Sequence, residues 1–570
     1  MISNTRAALL WLLAFMVPPF SYASPVKTEA VTGKNGQACV QYRYQYRDLA
    51  EQRRSELVFE ALDEHQGKTI RKIQFESRAI FDESNPAEDN WLYRGFNRLH
   101  INTRESVLAT QLLFNEGEPL RERLVEESER ILRGRNYLTS AYIVPAMACP
   151  DYIDLLVVTR DAWVTEPEIT FTREGGETES GFGLKDGNFL GTGDAISVSY
   201  ANDVERSLVS YEYKTNHLFR TRWATRLYYA QKSDGEDTAF SLERPFYSLE
   251  TPWATGIVTE NISEIRVIRE GGEDINEFRH RDRNREVYFG LAARADERFT
   301  RRWRMGVTRE SDLFSPTDLT ELGVPEDRKG NYIWLGMEGI ENRFATYKNL
   351  NQIQRTEDVA MGVNYRFRVG YGGERLGNER DLIRYRGSYS NVIGVGEHHI
   401  LQLHGEFDGR HYKAPNPVDS GVLGLEVNYN WFRDDQNRWY LRLRYDIGEN
   451  LQQYEQLTVG GANGLRGYPI DYQRGDRRYV LNIERRYFSD LHLFNIVRMG
   501  GVAFFDVGRS WGTQIDDESN PHLANVGIGL RFSSSKTKVG NVLHVDLAAP
   551  LSDQAGLDST QILIKAESSF

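Results

Sequence analysis

Segment after segment of this chain alternates in polarity, yet after the first 23 residues none approaches the roughly 20 consecutive apolar residues that a membrane-spanning helix needs. From Trp439 to Ile447, the residues Trp439, Leu441, Leu443, Tyr445 and Ile447 share one face, and Tyr440, Arg442, Arg444 and Asp446 the other. The pattern recurs in Val359 to Val369, Leu401 to Asp408 and Asn541 to Ala549, where Leu543, Val545 and Leu547 oppose His544 and Asp546. Period-two alternation gives half-buried strands. It fits a large soluble sandwich or a barrel whose apolar face meets lipid, and other signals must separate the two.

The N-terminus carries an export signal. Arg6 precedes an apolar run from Ala7 to Val17, then Pro18, Pro19 and the small-residue site Ser21-Tyr22-Ala23, so residues 1–23 read as a signal peptide. An exported chain without apolar helices can span a membrane only as a closed barrel, because every backbone polar group must be satisfied within the structure. Aromatics at 12%, with 30 Tyr, and 49 Gly suit interfacial girdles and tight turns. The net charge of -12 argues against nucleic acid as a partner. Cys39 and Cys149 can form one disulfide in an oxidising compartment or stay as thiols.

Residues 24–66 read as an N-terminal extension with an alternating run from Val40 to Tyr46 and a charged helix from about Asp48 to Glu64. Residues 67–162 read strand, helix, helix, strand, strand: Thr69 to Phe81; a stripe through Val107, Leu108, Leu112 and Leu113; a helix after Pro119; then Leu138 to Ile143 and Tyr152 to Thr159. From 163 to 570 no helix is needed. Long polar connections are expected at Glu264 to Asn284, Glu310 to Gly330, Gly370 to Arg380 and Gly409 to Ser420, with short ones between them, as in outer-membrane barrels. The basic cluster Arg279 to Arg285 would then lie in an outer loop, either solvated or touching lipopolysaccharide phosphates.

The βααββ order, with Leu112-Leu113-Phe114 to Gly117-Glu118 and the run Glu126 to Arg133, resembles a POTRA module. The Leu465-Arg466-Gly467-Tyr468 motif, Phe504-Phe505-Asp506-Val507-Gly508, the strand Gly527 to Arg531 and the terminal Phe570 together resemble the superfamily of BamA, TamA and the two-partner secretion transporters. The resemblance implies an all-β transmembrane barrel of about 16 strands behind one periplasmic POTRA domain, whereas counting alternating segments gives about 15 before the Arg-Gly-Tyr loop and five after it, nearer 20. We expect 16. It further implies a loop folded into the lumen with Arg466 meeting Asp506, and the alternation agrees in turning Phe504, Asp506 and Gly508 to one face. A seam between the first strand, with Glu168 and Phe171, and the last, with Ile562, Ile564 and Phe570, would open to admit an incoming strand.

The function implied is insertion or translocation of polypeptides at a Gram-negative outer membrane. A client would be held at a POTRA strand edge, Leu138 to Ile143, with outer-membrane lipid, lipopolysaccharide and an accessory protein as further partners. The chain departs from the best-known relatives in having one module, which favours a narrow client set. The alternative is a pore or surface-binding barrel without a polypeptide client. No cofactor, metal or catalysis is called for. Gly508-Arg509-Ser510-Trp511-Gly512 matches a serine-hydrolase string, but no helix follows it, as that chemistry requires. His398 and His399 are adjacent and point to opposite faces of a strand, so they do not share an ion easily, with His404 and Glu406 nearby.

Overall fold

The structure is a computed structural model that describes residues 26–32, 37–44, 62, 64–83, 86, 89–295, 298–396, 398–413, 418–512, 520–536, 542–552 and 557–567. The expected signal peptide, most of the helix expected from Asp48 to Glu64, and Phe570 lie outside them. Two compact units are present: Met1–Glu76 with Phe114–Glu126 and Tyr142–Val158, and Ser77–Leu113 with Glu127–Ala141 and Thr159–Phe570.

The first unit is built on a five-stranded sheet in the order Val26–Thr32, Ala38–Tyr44, Leu138–Ala148, Tyr152–Asp161, Thr69–Arg78. Ile70, Leu120, Val125, Ile143, Ile153 and Leu155 are buried in its core. Cys39 and Cys149 are disulfide-bonded with Cα atoms 4.3 Å apart, next to the register pair Val40↔Ala148. The sheet order narrows one expectation. The strand that carries Leu138 to Ile143 has Ala38–Tyr44 beside it, in register at Met147 and Ala148, beyond that segment, and the end strands of the sheet are Val26–Thr32 and Thr69–Arg78. The N-terminal hairpin responsible falls in a segment that sequence reading left as an extension.

Among the described residues three helices, not two, lie between Thr69–Arg78 and Leu138–Ala148: Trp91–Leu99, Glu105–Gln111 and Glu122–Arg133. The first begins at an Asn90 cap whose side chain accepts the Tyr93 N–H. Its apolar face is largely aromatic, with Tyr93 stacked on Phe81 at 4.3 Å and Phe96 edge-on to Trp163 at 4.9 Å. Aliphatic spacing therefore does not announce it.

The second unit is dominated by a closed antiparallel barrel of 20 strands. The expectation of 16 is overturned. The motifs behind it all fall in the last part of the chain and say nothing of how many hairpins precede them. One strand is interrupted, running Arg328–Glu341 and then Arg343–Lys348 along a single neighbour, Thr356–Gly372. The break faces Gly362, whose φ is +82°, and there the Val363 N–H donates to the Glu341 carboxylate at 3.0 Å instead of to a strand carbonyl.

Outward residues are apolar around the wall: Phe182, Val287, Leu335 and Ile528 are 69%, 54%, 53% and 63% exposed. Val287, Phe289 and Leu291 lie in register with Val307, Met305 and Trp303, which face Ile333, Leu335 and Met337 in turn. A belt of this breadth marks a lipid-facing surface, and the inward positions carry Arg302, Glu338, Arg384, Arg438 and Asp546, all buried. Strand length is uneven. It is 10 residues in Thr165–Glu174 and seven in Gln561–Glu567, against 23 in Glu273–Ala295. The expected loop from Glu264 to Asn284 is consequently the upper part of a tall hairpin, Trp253–Glu270 with Glu273–Ala295, and Arg279 to Arg285 sit in a strand. Alternation continues through that stretch, but polar residues on both faces disguise it as a loop.

Candidate functional site: the lumen plug and the barrel seam

Asn437–Glu449 and Arg477–Leu493 are neighbours in the wall, so the chain between them leaves the sheet and returns to it. It carries a small hairpin, Leu457–Val459 with Gln473–Gly475. Gly460, Gly461 and Gly464 adopt positive φ, which lets the loop fold tightly. Leu465 and Tyr468 are fully buried with Val459, Val480 and Leu523. The Tyr468 hydroxyl donates to the Ala524 carbonyl at 2.8 Å and lies 2.9 Å from Ser552 Oγ. At Gly467 a Cβ would meet Asn525 Cβ at 2.8 Å, and at Gly508 one would press on Leu465 at 3.3 Å. Both glycines let loop and wall approach closely.

Arg466 sits at the centre. Its Nε donates to Asp506 Oδ2 at 2.9 Å and its Nη2 to Asp506 Oδ1 at 2.7 Å, a bidentate pair. Nη2 also lies 2.9 Å from Glu484 Oε1, and Nη1 3.6 Å from Asp546 Oδ2. The guanidinium stacks 3.5 Å over the Phe504 ring. Asp506 accepts in addition from Asn482 Nδ2 and Asn525 Nδ2, each at 2.8 Å. Arg486 pairs with Glu484 at 2.7 Å, and Arg531 with Asp546. Three arginines thus face three carboxylates in a buried cluster, and that balance is what makes the burial tolerable. Sequence reading named Arg466, Asp506, Phe504 and Gly508 and missed Glu484, Asp546, Asn482 and Asn525. All four alternate inward on their strands, which was the available signal, yet alternation does not say which inward residues meet.

Other candidates fall elsewhere. Ser510 lies within the strand Val497–Trp511, and its hydroxyl donates to the Leu457 carbonyl at 2.6 Å, tying the small hairpin of the Arg466 loop to the wall. His399 Nδ1 is 2.7 Å from the Tyr429 hydroxyl, and the ring stacks between Tyr429 and Trp431. His404 lies 3.8 Å from Glu406.

A second insertion, unforeseen from sequence, enters from the opposite end. In the turn 349–355, Ile353 packs against Phe488, Val502, Val542 and Leu563 from strands on the far wall. Glu357 accepts the N–H groups of Leu350, Asn351 and Gln352, and buried Arg438 donates to the Asn349 and Leu350 carbonyls at 2.6 and 2.5 Å. Main-chain groups with such partners leave no sequence signature.

At the seam, Ile564 is in register with Arg173. Phe171 and Ile562 face outward at 48% and 51% exposure, and Leu563 is buried inward. Glu168 lies within the first strand. Gly175, at the end of that strand with φ +58°, touches the Arg466 loop: a Cβ there would fall 2.4 Å from Ile470 N. Seam and loop therefore meet at one glycine.

Residues 341–566 match the Omp85 superfamily domain. No curated protein matches the chain. Among solved structures, the chain is similar to CdiB from Escherichia coli (14% identity, 87% of this chain and 76% of that one, TM-score 0.47). It is also similar to CdiB from Acinetobacter baumannii (12%, 88% and 74%, TM-score 0.43) and to BamA from Haemophilus ducreyi lacking POTRA domains 1-3 (12%, 95% and 89%, TM-score 0.39). The matched segment, 341–566, contains the Arg466 loop and the wall strands that clamp it.

Proposed function

We propose that this outer-membrane barrel assists polypeptides to insert into, or pass across, the membrane, with the POTRA-like region in the periplasm, the Arg466 loop as plug and the Thr165–Glu174 to Gln561–Glu567 seam as the lateral opening. The observation that carries the reading is the contact of Gly175 with Ile470, which couples the plug to the first seam strand. The last strand has seven residues and the first 10, against 23 in Glu273–Ala295, so fewer ladder hydrogen bonds hold the seam than hold the tall hairpins. A seam that parts exposes an unpaired edge to which an incoming strand can add. The driving force is the client's own folding and burial in lipid. The sheet edges Val26–Thr32 and Thr69–Arg78, the latter beyond Ile70, whose backbone pairs with Gly117 and Glu118, are the surfaces on which an extended client would first pair.

The test is a reversible lock. Arg173→Cys with Ile564→Cys is oxidised in proteoliposomes, and the folding rate of a urea-denatured outer-membrane barrel is followed by its gel shift. The unlocked protein is expected to accelerate folding, the lock to abolish the acceleration, and reductant to restore it. Full acceleration by the locked protein would refute lateral opening.

A cavity of about 580 Å³, lined by Arg304, Arg366, Arg368 and Arg386 with Glu338 and Asp408 and also by Met337, Phe367 and Phe407, favours a second reading, a pore for small solutes. A large, stable conductance in a planar bilayer without client would support that reading over the first.

A further inference from the structure

Charges on the tall strands sort by face. Along Glu273–Ala295 and Phe299–Pro316, Asp282, Glu286, Glu310 and Asp312 point into the lumen, while Arg281, Arg283, Arg285 and Arg309 are exposed outside. Three of the four inward carboxylates have lumen partners: Glu286 with Arg368 at 2.8 Å, Glu310 with Arg384 at 3.1 Å, and Asp312 with His280 at 3.3 Å. Outside, Arg285 is the register partner of Arg309, a like-charge pair set directly opposite, which by itself destabilises a sheet. The other register neighbours are neutral. Arg281 faces Ser263 and Leu313, Arg283 faces Asn261 and Ser311, and Arg309 faces Asn331. Lys329, beside Ser311, adds a fifth cation. Among the described residues none of the four arginines makes an ion pair; Arg283 donates only to Asn261 Oδ1, at 3.1 Å.

The position of this patch is as informative as its charge. Directly below Arg285 and Arg309 on the same columns come Val287, Phe289 and Leu291, and Val307, Met305 and Trp303, the lipid-facing belt. The patch is therefore at headgroup depth. It lies toward the turn at Gly271 and Gly272, whose Gly271 N–H donates to the Tyr472 carbonyl of the plug loop at 3.1 Å, and so at the plug-bearing end of the barrel. Guanidinium groups spaced two residues apart along a strand, on adjacent strands, offer forked donors to tetrahedral oxyanions, which Arg binds bidentately.

We infer that Arg281, Arg283, Arg285, Arg309 and Lys329 form a binding site for the phosphate groups of an outer-leaflet glycolipid, the acyl chains of which lie on the Val287 to Leu291 and Val307 to Trp303 columns. The inference rests on the periplasmic placement proposed above for the residues before Thr165, which puts the far end of the first strand, with Gly175 and the Gly271 turn, outside, and on no part of the polypeptide handling. A lipid partner is chosen over a free anion because the patch is continuous with the apolar belt.

The test uses the full chain in phosphatidylcholine nanodiscs doped with bisphosphorylated lipid A or with its dephosphorylated form. Bound glycolipid is counted by native mass spectrometry. The protein is expected to retain the bisphosphorylated form on the order of tenfold better, and Arg281→Gln, Arg283→Gln, Arg285→Gln and Arg309→Gln together to remove that preference. Arg301→Gln, an outward arginine below the belt, should leave it intact. An intact heat-modifiable gel shift certifies folding of each variant. Equal retention of the two lipids by the unaltered protein, or an unchanged preference in the fourfold variant, would overturn the site. So would loss of the preference in millimolar inorganic phosphate, which would indicate a site for free anions. Client folding is not involved, so failure here leaves the insertion reading untouched, and the reverse also holds.

Discussion

Gly175 and Ile470 share a space that only a glycine allows: the Cβ of any other residue at 175 would lie 2.4 Å from Ile470 N and 2.8 Å from Ile470 Cγ1. Gly175→Ala therefore has to displace the plug apex or the end of the first seam strand, at a cost of about 1–3 kcal/mol for overpacking plus the strain of positive φ. Gly176 also has positive φ, +87°, but nothing lies within 4 Å of its Cβ position, so Gly176→Ala bears the backbone strain alone. Gel-shift melting should fall further for Gly175→Ala than for Gly176→Ala. Equal falls would show that the contact does not matter.

Removing Arg466 leaves Asp506 buried without its cation and Glu484 with Arg486 alone, a loss of about 3–5 kcal/mol for a broken buried pair. Arg466→Ala should lower the temperature at which the folded gel band is lost and raise single-channel conductance as the plug loosens. Arg466→Lys keeps the charge and loses the fork and the stacking over Phe504, so it should fall between. A lysine variant as unstable as alanine would mean that charge balance is not what holds the loop.

The Cys39–Cys149 disulfide closes a loop with a sequence separation of 110, for which chain entropy gives an upper value of about 4–5 kcal/mol. Reduction, or Cys39→Ser, should speed proteolysis within the first unit and leave the barrel's gel shift unchanged. Unchanged proteolysis would place the stability of that unit in its core instead.

His65 gives the first unit a pH dependence. Burial, helped by Lys68 and opposed in part by Glu64, holds its imidazole below the ordinary value, with Nε2 2.9 Å from the Tyr42 hydroxyl. The unfolded chain takes up this proton more readily, so stability is full above the unfolded value of about 6.5. It falls as pH drops from there toward the depressed folded value. Hydrogen exchange in Ala38–Tyr44 should accelerate on going from neutral to mildly acidic pH, and His65→Gln should flatten the change. An identical pH profile in both proteins would remove His65 as the cause.

Much of the wall was legible because alternation is local. The count nearer 20 came from reading each strand on its own residues, and it outperformed the expectation of 16, which rested on motifs confined to the last strands. Where both faces are polar, as from Arg279 to Arg285, the same signal was present and looked like a loop. The helix Trp91–Leu99 was hidden for a related reason, since its packing face is aromatic and its polar residues dominate the spacing.

What the sequence determined by itself is a succession of half-buried strands and the shared face of Phe504, Asp506 and Gly508, because side-chain facing on a strand repeats every two residues and needs no knowledge of neighbours. The lipid-facing closure and the inward Arg466 were what the family resemblance implied. Only the tertiary structure decided which inward residues meet. Glu484, Asp506 and Asp546 come from three different strands, Gly175 and Ile470 are nearly 300 positions apart in sequence, and Ile353 reaches the far wall. Those distances are set by closure of the wall and by the paths of two re-entrant segments, which no period along the chain encodes.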